Sequence, residues 1–329
     1  MKALVTCLHL QRRIEEYRSA FENCGVALIL PEITGQQLSA GEMRALFAAG
    51  VDVAILGDDA VDREALVAGK AAGLKAIVKW GIGTDAIDKA AARALGVPVY
   101  NTPGAFGEEV ADLAMAYLLM LARPLHKMDA GVREGAWLQI QGRSLSGLTA
   151  GVIGLGSIGQ AILRRARGFG MTTLGYDVSE PAAEDLAALA TEFAPLSAVF
   201  ERADILFLAC ALTPENRHLV NADRLALMKP DAFLINVARG PLVDEAALVE
   251  ALKQGRLGGA GLDVFEIEPL PETSALRALD TVVLGSHCGS NTREAVARIN
   301  ALTVEMALRL LGVAGAERPN RLERMNRVA

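Results

Sequence analysis

Three polar residues late in the chain could do chemistry together: Arg239, Glu268 and His287. Each lies just past a short apolar run of strand length, at residues 233–237, 261–264 and 282–284. If these runs are parallel strands of one sheet, all three residues emerge at its carboxyl edge, where open α/β sheets bind their ligands. A guanidinium can bind a carboxylate and polarise an adjacent carbonyl through charge-assisted hydrogen bonds. An imidazole ionises near neutral pH and can hand a proton to the carbonyl oxygen. A carboxylate behind the imidazole fixes its orientation and favours its protonated form. Together these groups meet the needs of hydride transfer to C2 of a 2-keto acid, or of the reverse reaction. Singly, Arg239 could be a surface arginine beside Gly240, and Glu268 a solvated acid like Glu266 and Glu272. His287, with His9, His126 and His218 the only histidines, could be a satisfied polar group. Their joint placement at one sheet edge is what points to a site.

The hydride carrier has a motif of its own, Gly154-Leu155-Gly156-Ser157-Ile158-Gly159. A strand-like run at 151–155 enters it and a helix-like run at 158–168 leaves it, the context that this glycine pattern requires. Gly154 permits the tight turn, Gly156 lets a pyrophosphate approach the backbone, and Gly159 lets helix and strand pack closely. The N–H groups and partial positive charge of the helix start would hold the phosphates. A second strand, 173–176, ends at Asp177, where an acidic residue accepts hydrogen bonds from the adenosine ribose hydroxyls. A carboxylate there repels a 2′-phosphate, and Val178 offers no cation to bind one, so NAD is expected rather than NADP. The alternative is a glycine turn of some other α/β domain, with Asp177 a helix cap.

These residues need a scaffold, and 329 residues suggest two α/β domains. Strands are expected at 3–6, 26–30, 53–56, 76–79 and 97–100, with amphipathic stretches such as 38–49 and 86–95 between them. Asn101-Thr102-Pro103-Gly104 then breaks the pattern, and a long helix, about 108–123, is ended by Pro124. A second series of strands follows at 152–155, 173–176, 205–208, 233–237, 261–264 and 282–284. The last helix-like segment, 292–311, has no strand partner and is expected to return to the first domain. The expected fold is thus two doubly wound parallel-sheet α/β domains. A Rossmann NAD-binding domain, 102–289, is inserted in a flavodoxin-like substrate domain made of 1–101 plus 290–329. The insert at 104–148 holds the apolar helix 111–121 and Trp137, more apolar surface than one crossover needs. It predicts an isologous homodimer.

Composition narrows the classes. Hydrophobic residues make up 52% and charged residues 22%, enough for large cores. A net charge of -6 with no basic run argues against a nucleic-acid partner. Arg318, Arg321, Arg324 and Arg327 are spaced by other residues and read as a solvated tail. Cys7, Cys24, Cys210 and Cys288 show no paired or metal-ligand spacing, as suits core thiols in a reducing cytoplasm. The longest apolar stretch, around 113–121, is far short of the ~20 residues of a membrane span. Arg12 and Arg13 follow the first apolar run too soon for a signal peptide. A soluble cytoplasmic protein with no membrane partner is expected.

The sequence resembles the D-isomer-specific 2-hydroxyacid dehydrogenases, and within them most the phosphoglycerate dehydrogenase branch. The resemblance is carried by Gly154–Gly159 with Asp177, by Asn236-Val237-Ala238-Arg239-Gly240, and by Leu262-Asp263-Val264-Phe265 with Glu268-Pro269-Leu270-Pro271. It also rests on His287 followed by Gly289-Ser290, on Gly81-Ile82-Gly83-Thr84-Asp85, and on Val97-Pro98-Val99-Tyr100-Asn101-Thr102-Pro103. It implies Arg239, Glu268 and His287 as catalytic residues. Implied cofactor contacts are Ser157, Ile158, Asp177, Thr213, Val237, Arg239, Asp263, His287 and Ser290. Substrate contacts are expected at Lys79, Trp80, Gly81, Ile82, Gly83 and Arg239.

Several departures bear on the substrate. The loop reads Lys79-Trp80-Gly81-Ile82-Gly83 where that branch usually has Arg, a small residue, Gly, Thr and Gly. Ile82 removes a hydroxyl expected near the cofactor, and Trp80 puts bulk by the substrate. Lys79 is the candidate for a second anionic group such as a phosphate, with a solvated lysine at a strand end the alternative. Gly104-Ala105-Phe106-Gly107-Glu108 replaces an Asn- and Ser-rich run. The chain stops about 40 residues after His287, so no appended regulatory domain, and no control by serine through one, is expected. A glyoxylate or hydroxypyruvate reductase, or a reductase of another 2-keto acid, is the alternative among enzymes. An NAD-responsive co-regulator is the alternative from another class. Formate dehydrogenase relatives are disfavoured, because they carry Gln at the position of Glu268.

Overall fold

Val53–Leu56 and Ala76–Lys79 are buried along their whole length, as strands of a parallel sheet covered on both faces must be. In the computed structural model, which describes residues 1–35, 37–313 and 326–329, such strands build two parallel sheets. Arg318, Arg321 and Arg324 lie outside the described residues. The chain divides into one unit of Met1–Ala105 with Asn291–Ala329 and a second of Phe106–Ser290. The junctions fall after Ala105 and Ser290, where the sequence put them after 101 and 289.

The first unit contains β1 (Lys2–Val5), β2 (Ala27–Ile29), β3 (Val53–Leu56), β4 (Ala76–Lys79) and β5 (Val99–Asn101). Their order is β5-β4-β3-β1-β2, all parallel, the flavodoxin-like arrangement. The three helices between β2 and β5 start on side-chain caps: Ser39 forms a reciprocal capping box with Glu42, and Asp62 and Asp88 accept from Ala65 and Ala91. The helix Arg293–Leu310 belongs to this unit and packs on β3 and β4 through a face that includes Ala295, Ile299, Leu302 and Thr303.

The second unit contains β6 (Thr149–Ile153), β7 (Thr172–Tyr176), β8 (Glu192–Phe193), β9 (Ile205–Leu208), β10 (Phe233–Asn236), β11 (Gly259–Leu262) and β12 (Val282–Leu284). All are parallel, in the order β12-β11-β10-β9-β6-β7-β8. Strand order reverses on the two sides of β6, so the chain leaving β6 enters the topological switch point of a Rossmann sheet. A final short strand, β13 (Asn326–Arg327), pairs antiparallel with β5 in the first unit.

Two features of the second unit differ from the sequence expectation. Pro124 does end the helix Gly107–Ala122, but it also stands at the N-cap of a further helix, Leu125–Arg133. Proline lacks only a hydrogen-bond donor that a helix start leaves unused anyway, so it can stop one helix and open the next. The helix Gly107–Ala122 also uses most of its apolar surface internally, burying Val110, Ala111, Ala114, Met115, Tyr117 and Leu118. Exposed apolar groups lie instead on the segment after it: Leu125 is 68% exposed, Val132 48% and Trp137 81%. No helix among the described residues is long and apolar enough to cross a membrane.

Candidate active site

The glycine turn follows β6 directly, and its close packing requires glycine at two positions. Gly154 has φ +99, and a Cβ there would lie 2.5 Å from the Cys210 amide nitrogen beyond β9. A Cβ on Gly159 would lie 1.9 Å from the Gly154 carbonyl oxygen. At Gly156, by contrast, a Cβ would meet nothing within 4 Å, so this glycine opens the cradle to a ligand rather than to protein. Helix Ser157–Gly168 begins at the turn, and Gly156 and Ser157 are exposed. These features fit a dinucleotide pyrophosphate. Asp177 ends β7 with one oxygen, Oδ2, accepting from the Leu155 amide at 2.7 Å, so the acid also braces the turn. Val178 is 90% exposed. Thr213, just past β9, is exposed and caps the short turn Pro214–Asn216.

The three chemical residues come from the ends of three adjacent strands, β10, β11 and β12. The Asn236 amide group shapes the turn after β10: its Nδ2 donates to the Arg239 carbonyl at 2.9 Å, and its Oδ1 accepts from the Ala238 amide at 3.0 Å. Gly240 then passes against the next loop, where a Cβ would lie 1.8 Å from the Phe265 carbonyl carbon. That contact sets Arg239 beside the loop carrying Glu268. Glu268 accepts from the Phe265 amide at 2.9 Å through Oε1 and meets Nδ1 of His287 at 2.7 Å through Oε2. Both side chains keep some solvent access, 17% for Glu268 and 24% for His287. Beside them, burial and the neighbouring Glu266 and Glu268 push the Glu245 carboxyl above its ordinary range. Burial first and Asp263 second raise the Cys288 thiol above its ordinary range.

Asp263, which the resemblance implies at the cofactor, is 2% exposed, and its carboxylate accepts from the amides of Cys288 and Gly289. Asn236 was read from the sequence only as the start of the motif that ends at Gly240, and Tyr117, hydrogen-bonded to Asp263 at 3.2 Å, was not singled out. A lone phenol inside an apolar helix is the signal that could have found Tyr117, because a buried tyrosine hydroxyl needs a partner.

In the first unit Lys79 is buried, not a solvated lysine at a strand end. Its side chain is 4% exposed, and Nζ bonds Asp58 at 3.0 Å and the Trp80 carbonyl at 2.9 Å. Trp80 is likewise turned into its own unit rather than standing as free bulk. Its indole stacks on His9 at 4.7 Å and donates Nε1–H to Asn300 at 2.8 Å. Gly81 (φ +123) donates to the Thr102 hydroxyl, and the Ile82 carbonyl accepts from Asn101. Among the described residues, the N–H groups of Ile82 and Gly83 have no partner in the protein, and both residues are half-buried.

A parallel sheet with a glycine turn at its switch point, and an imidazole–carboxylate pair and an arginine at neighbouring strand ends, defines a dinucleotide-dependent oxidoreductase. Comparison with known proteins gives the family. Residues 115–289 match the family model "D-isomer specific 2-hydroxyacid dehydrogenase, NAD binding domain". A hydroxypyruvate reductase of Thermotoga maritima is 37% identical over 86% of this chain and 92% of its own length. A D-3-phosphoglycerate dehydrogenase of Methanocaldococcus jannaschii is 40% identical over 74% of this chain, but only 46% of that protein is matched. The crystal structure of a D-lactate dehydrogenase from Aquifex aeolicus, complexed with NAD and lactic acid, superposes with a TM-score of 0.84, at 26% identity and over 98% of this chain and 97% of that one. The chain belongs to the D-isomer specific 2-hydroxyacid dehydrogenase family. It is an NAD-dependent oxidoreductase.

Proposed function

We propose that the protein reduces a small unphosphorylated 2-keto acid, hydroxypyruvate or glyoxylate, to its 2-hydroxy acid with NADH. The observation that carries this choice over a phosphorylated substrate is the ion pair of Lys79 with Asp58, which occupies the cation that would otherwise meet a phosphate. The relationship to a hydroxypyruvate reductase along nearly its whole length supports the same choice. The substrate loop then contributes the backbone N–H groups of Ile82 and Gly83, which suit a carboxylate.

Arg239, Glu268 and His287 divide the work on the substrate. Arg239 binds the carboxylate and draws charge from the C2 carbonyl. His287 carries the proton that the carbonyl oxygen takes up, and Glu268 on its Nδ1 fixes the tautomer that leaves the other nitrogen for the substrate. When bound, NADH supplies the hydride to C2. Gly156, Ser157 and Ile158 would hold its pyrophosphate in the turn that Gly154 and Gly159 shape, Asp177 would take its adenosine ribose, and Thr213, Val237 and Ser290 would meet the rest of it. Asp177→Asn keeps an acceptor for the Leu155 amide but removes the charge that repels a 2′-phosphate. The native enzyme is expected to favour NADH over NADPH at least about tenfold in kcat/KM, and the variant to narrow that gap. Equal use of both cofactors by the native enzyme would sink the assignment of Asp177.

A substitution at Lys79 tests the substrate reading. Lys79→Met should lower stability in urea by about 1–2 kcal/mol, since the ion pair of the buried ammonium with the partly exposed Asp58 is lost. The ratio of kcat/KM for phosphohydroxypyruvate to that for hydroxypyruvate should not move. A collapse of that ratio without loss of stability would return Lys79 to the phosphate role.

The exposed Leu125, Val132 and Trp137 support a homodimer formed through residues 125–140. Light scattering at micromolar concentration should give twice the 34.7 kDa chain mass, and a monomer would rule the dimer out. The cysteines are free, which suits a reducing cytoplasm.

A further inference from the structure

We propose that Tyr117 is a positioning residue for the proton donor: through the buried carboxylate of Asp263 it fixes the turn that carries His287. The proposal rests on His287 being the proton donor, as set out above.

His287 has φ +54, in the left-handed region that residues with a Cβ avoid. Such a conformation persists only where its surroundings over-determine it. Here one residue holds three consecutive amides of the turn. His287 N–H donates to the Asp263 carbonyl at 2.7 Å, Cys288 N–H to Oδ1 at 3.1 Å, and Gly289 N–H to Oδ2 at 2.9 Å. Asp263 also opens the segment that leads to Glu268. It is therefore tied to both members of the His287–Glu268 pair.

Among the described residues no cationic side chain pairs with the Asp263 carboxylate. Its remaining donor from a neighbouring element is the Tyr117 hydroxyl, 3.2 Å from Oδ1. Tyr117 is 4% exposed, on the helix Gly107–Ala122. Two glycines vacate the space its ring fills. A Cβ on Gly285, just past β12, would lie 1.8 Å from the Tyr117 hydroxyl oxygen and 2.6 Å from Asp263 Oδ1. A Cβ on Gly261, in β11, would lie 2.7 Å from the Tyr117 Cβ. Gly261, Gly285, Tyr117 and Asp263 thus form one device whose output is the turn at 287–289. A hydrogen bond between a buried phenol and a buried carboxylate is costly to leave unmade at either end, so the phenol and the turn amides set the carboxylate's orientation together. The device locks the backbone at the residue whose ring must meet Glu268 on one side and substrate on the other.

Tyr117→Phe keeps the ring in its hollow and removes only the hydroxyl. Turnover in keto-acid reduction should fall about tenfold, the scale at which a small misplacement of a reacting group is felt. KM for NADH and for the keto acid should stay within about twofold, a split that a merely structural role would not produce. Amide exchange at Cys288 and Gly289 should quicken in the same variant. With Asp263→Asn, the double variant should lose less than the product of the two single losses, because both act through one contact. Unchanged turnover in Tyr117→Phe, wild-type exchange at the two amides, or multiplicative losses would each overturn the proposal. His287→Ala is measured alongside. If it alone is inactive while Tyr117→Phe is normal, only this proposal fails, whereas an active His287→Ala removes the proton-donor reading itself.

Discussion

His287→Ala is expected to lower turnover in keto-acid reduction about 10²–10⁴-fold while leaving NADH binding intact. The two effects separate because His287 sits past β12, whereas the pyrophosphate cradle follows β6 at the switch point. Fluorescence titration with NADH and steady-state turnover read them independently. The pH dependence follows from the same role. Reduction needs the imidazole protonated, so its rate falls as pH rises; oxidation of the hydroxy acid needs it neutral, so its rate rises. Glu268 lies 2.7 Å from Nδ1, and its charge favours the imidazolium. Glu268→Gln removes that charge, so the protonated form is lost earlier and the falling limb of reduction moves to lower pH. A limb that stays in place, or moves to higher pH, would contradict the pairing as the source of proton delivery.

The second large effect is expected at Arg239. Arg239→Ala should lower kcat/KM by about 10³-fold, with KM for the keto acid raised and kcat reduced together. Both parameters change because one guanidinium binds the carboxylate in the ground state and stabilises the oxygen as charge develops on it. Arg239→Lys should recover little, since an ammonium cannot reproduce a planar two-pronged contact. A variant whose KM alone changes would limit Arg239 to binding. The turn that presents it depends on Asn236 and on the close pass of Gly240 against Phe265, so changes at either should mimic a weaker Arg239 defect.

The chemistry at strand ends was legible because strand-length runs at 233–237 and 282–284 end two or three residues before Arg239 and His287. The glycine turn was legible because its spacing answers a steric demand, visible in the 1.9 Å approach at Gly159. Lys79 was not. A lysine at a strand end reads as exposed, and its burial depends on Asp58, two residues beyond the Leu56 that pairs with Lys79 across β3 and β4. Only the register brings those charges together. Trp80 depends in the same way on His9 and Asn300, from opposite ends of the chain. The helix after Pro124 was hidden because proline signals a stop and a start with the same residue. Tyr117 and Asp263 are 146 positions apart, and nothing local in either neighbourhood announces the other.

The most direct test of the central claim is NADH oxidation by the purified protein against hydroxypyruvate, glyoxylate, phosphohydroxypyruvate and pyruvate, each run with native enzyme and with His287→Ala. Turnover that is highest with hydroxypyruvate or glyoxylate, and lost in His287→Ala, is the expected result. Turnover confined to phosphohydroxypyruvate would contradict the substrate reading, and turnover that survives His287→Ala would contradict the mechanism.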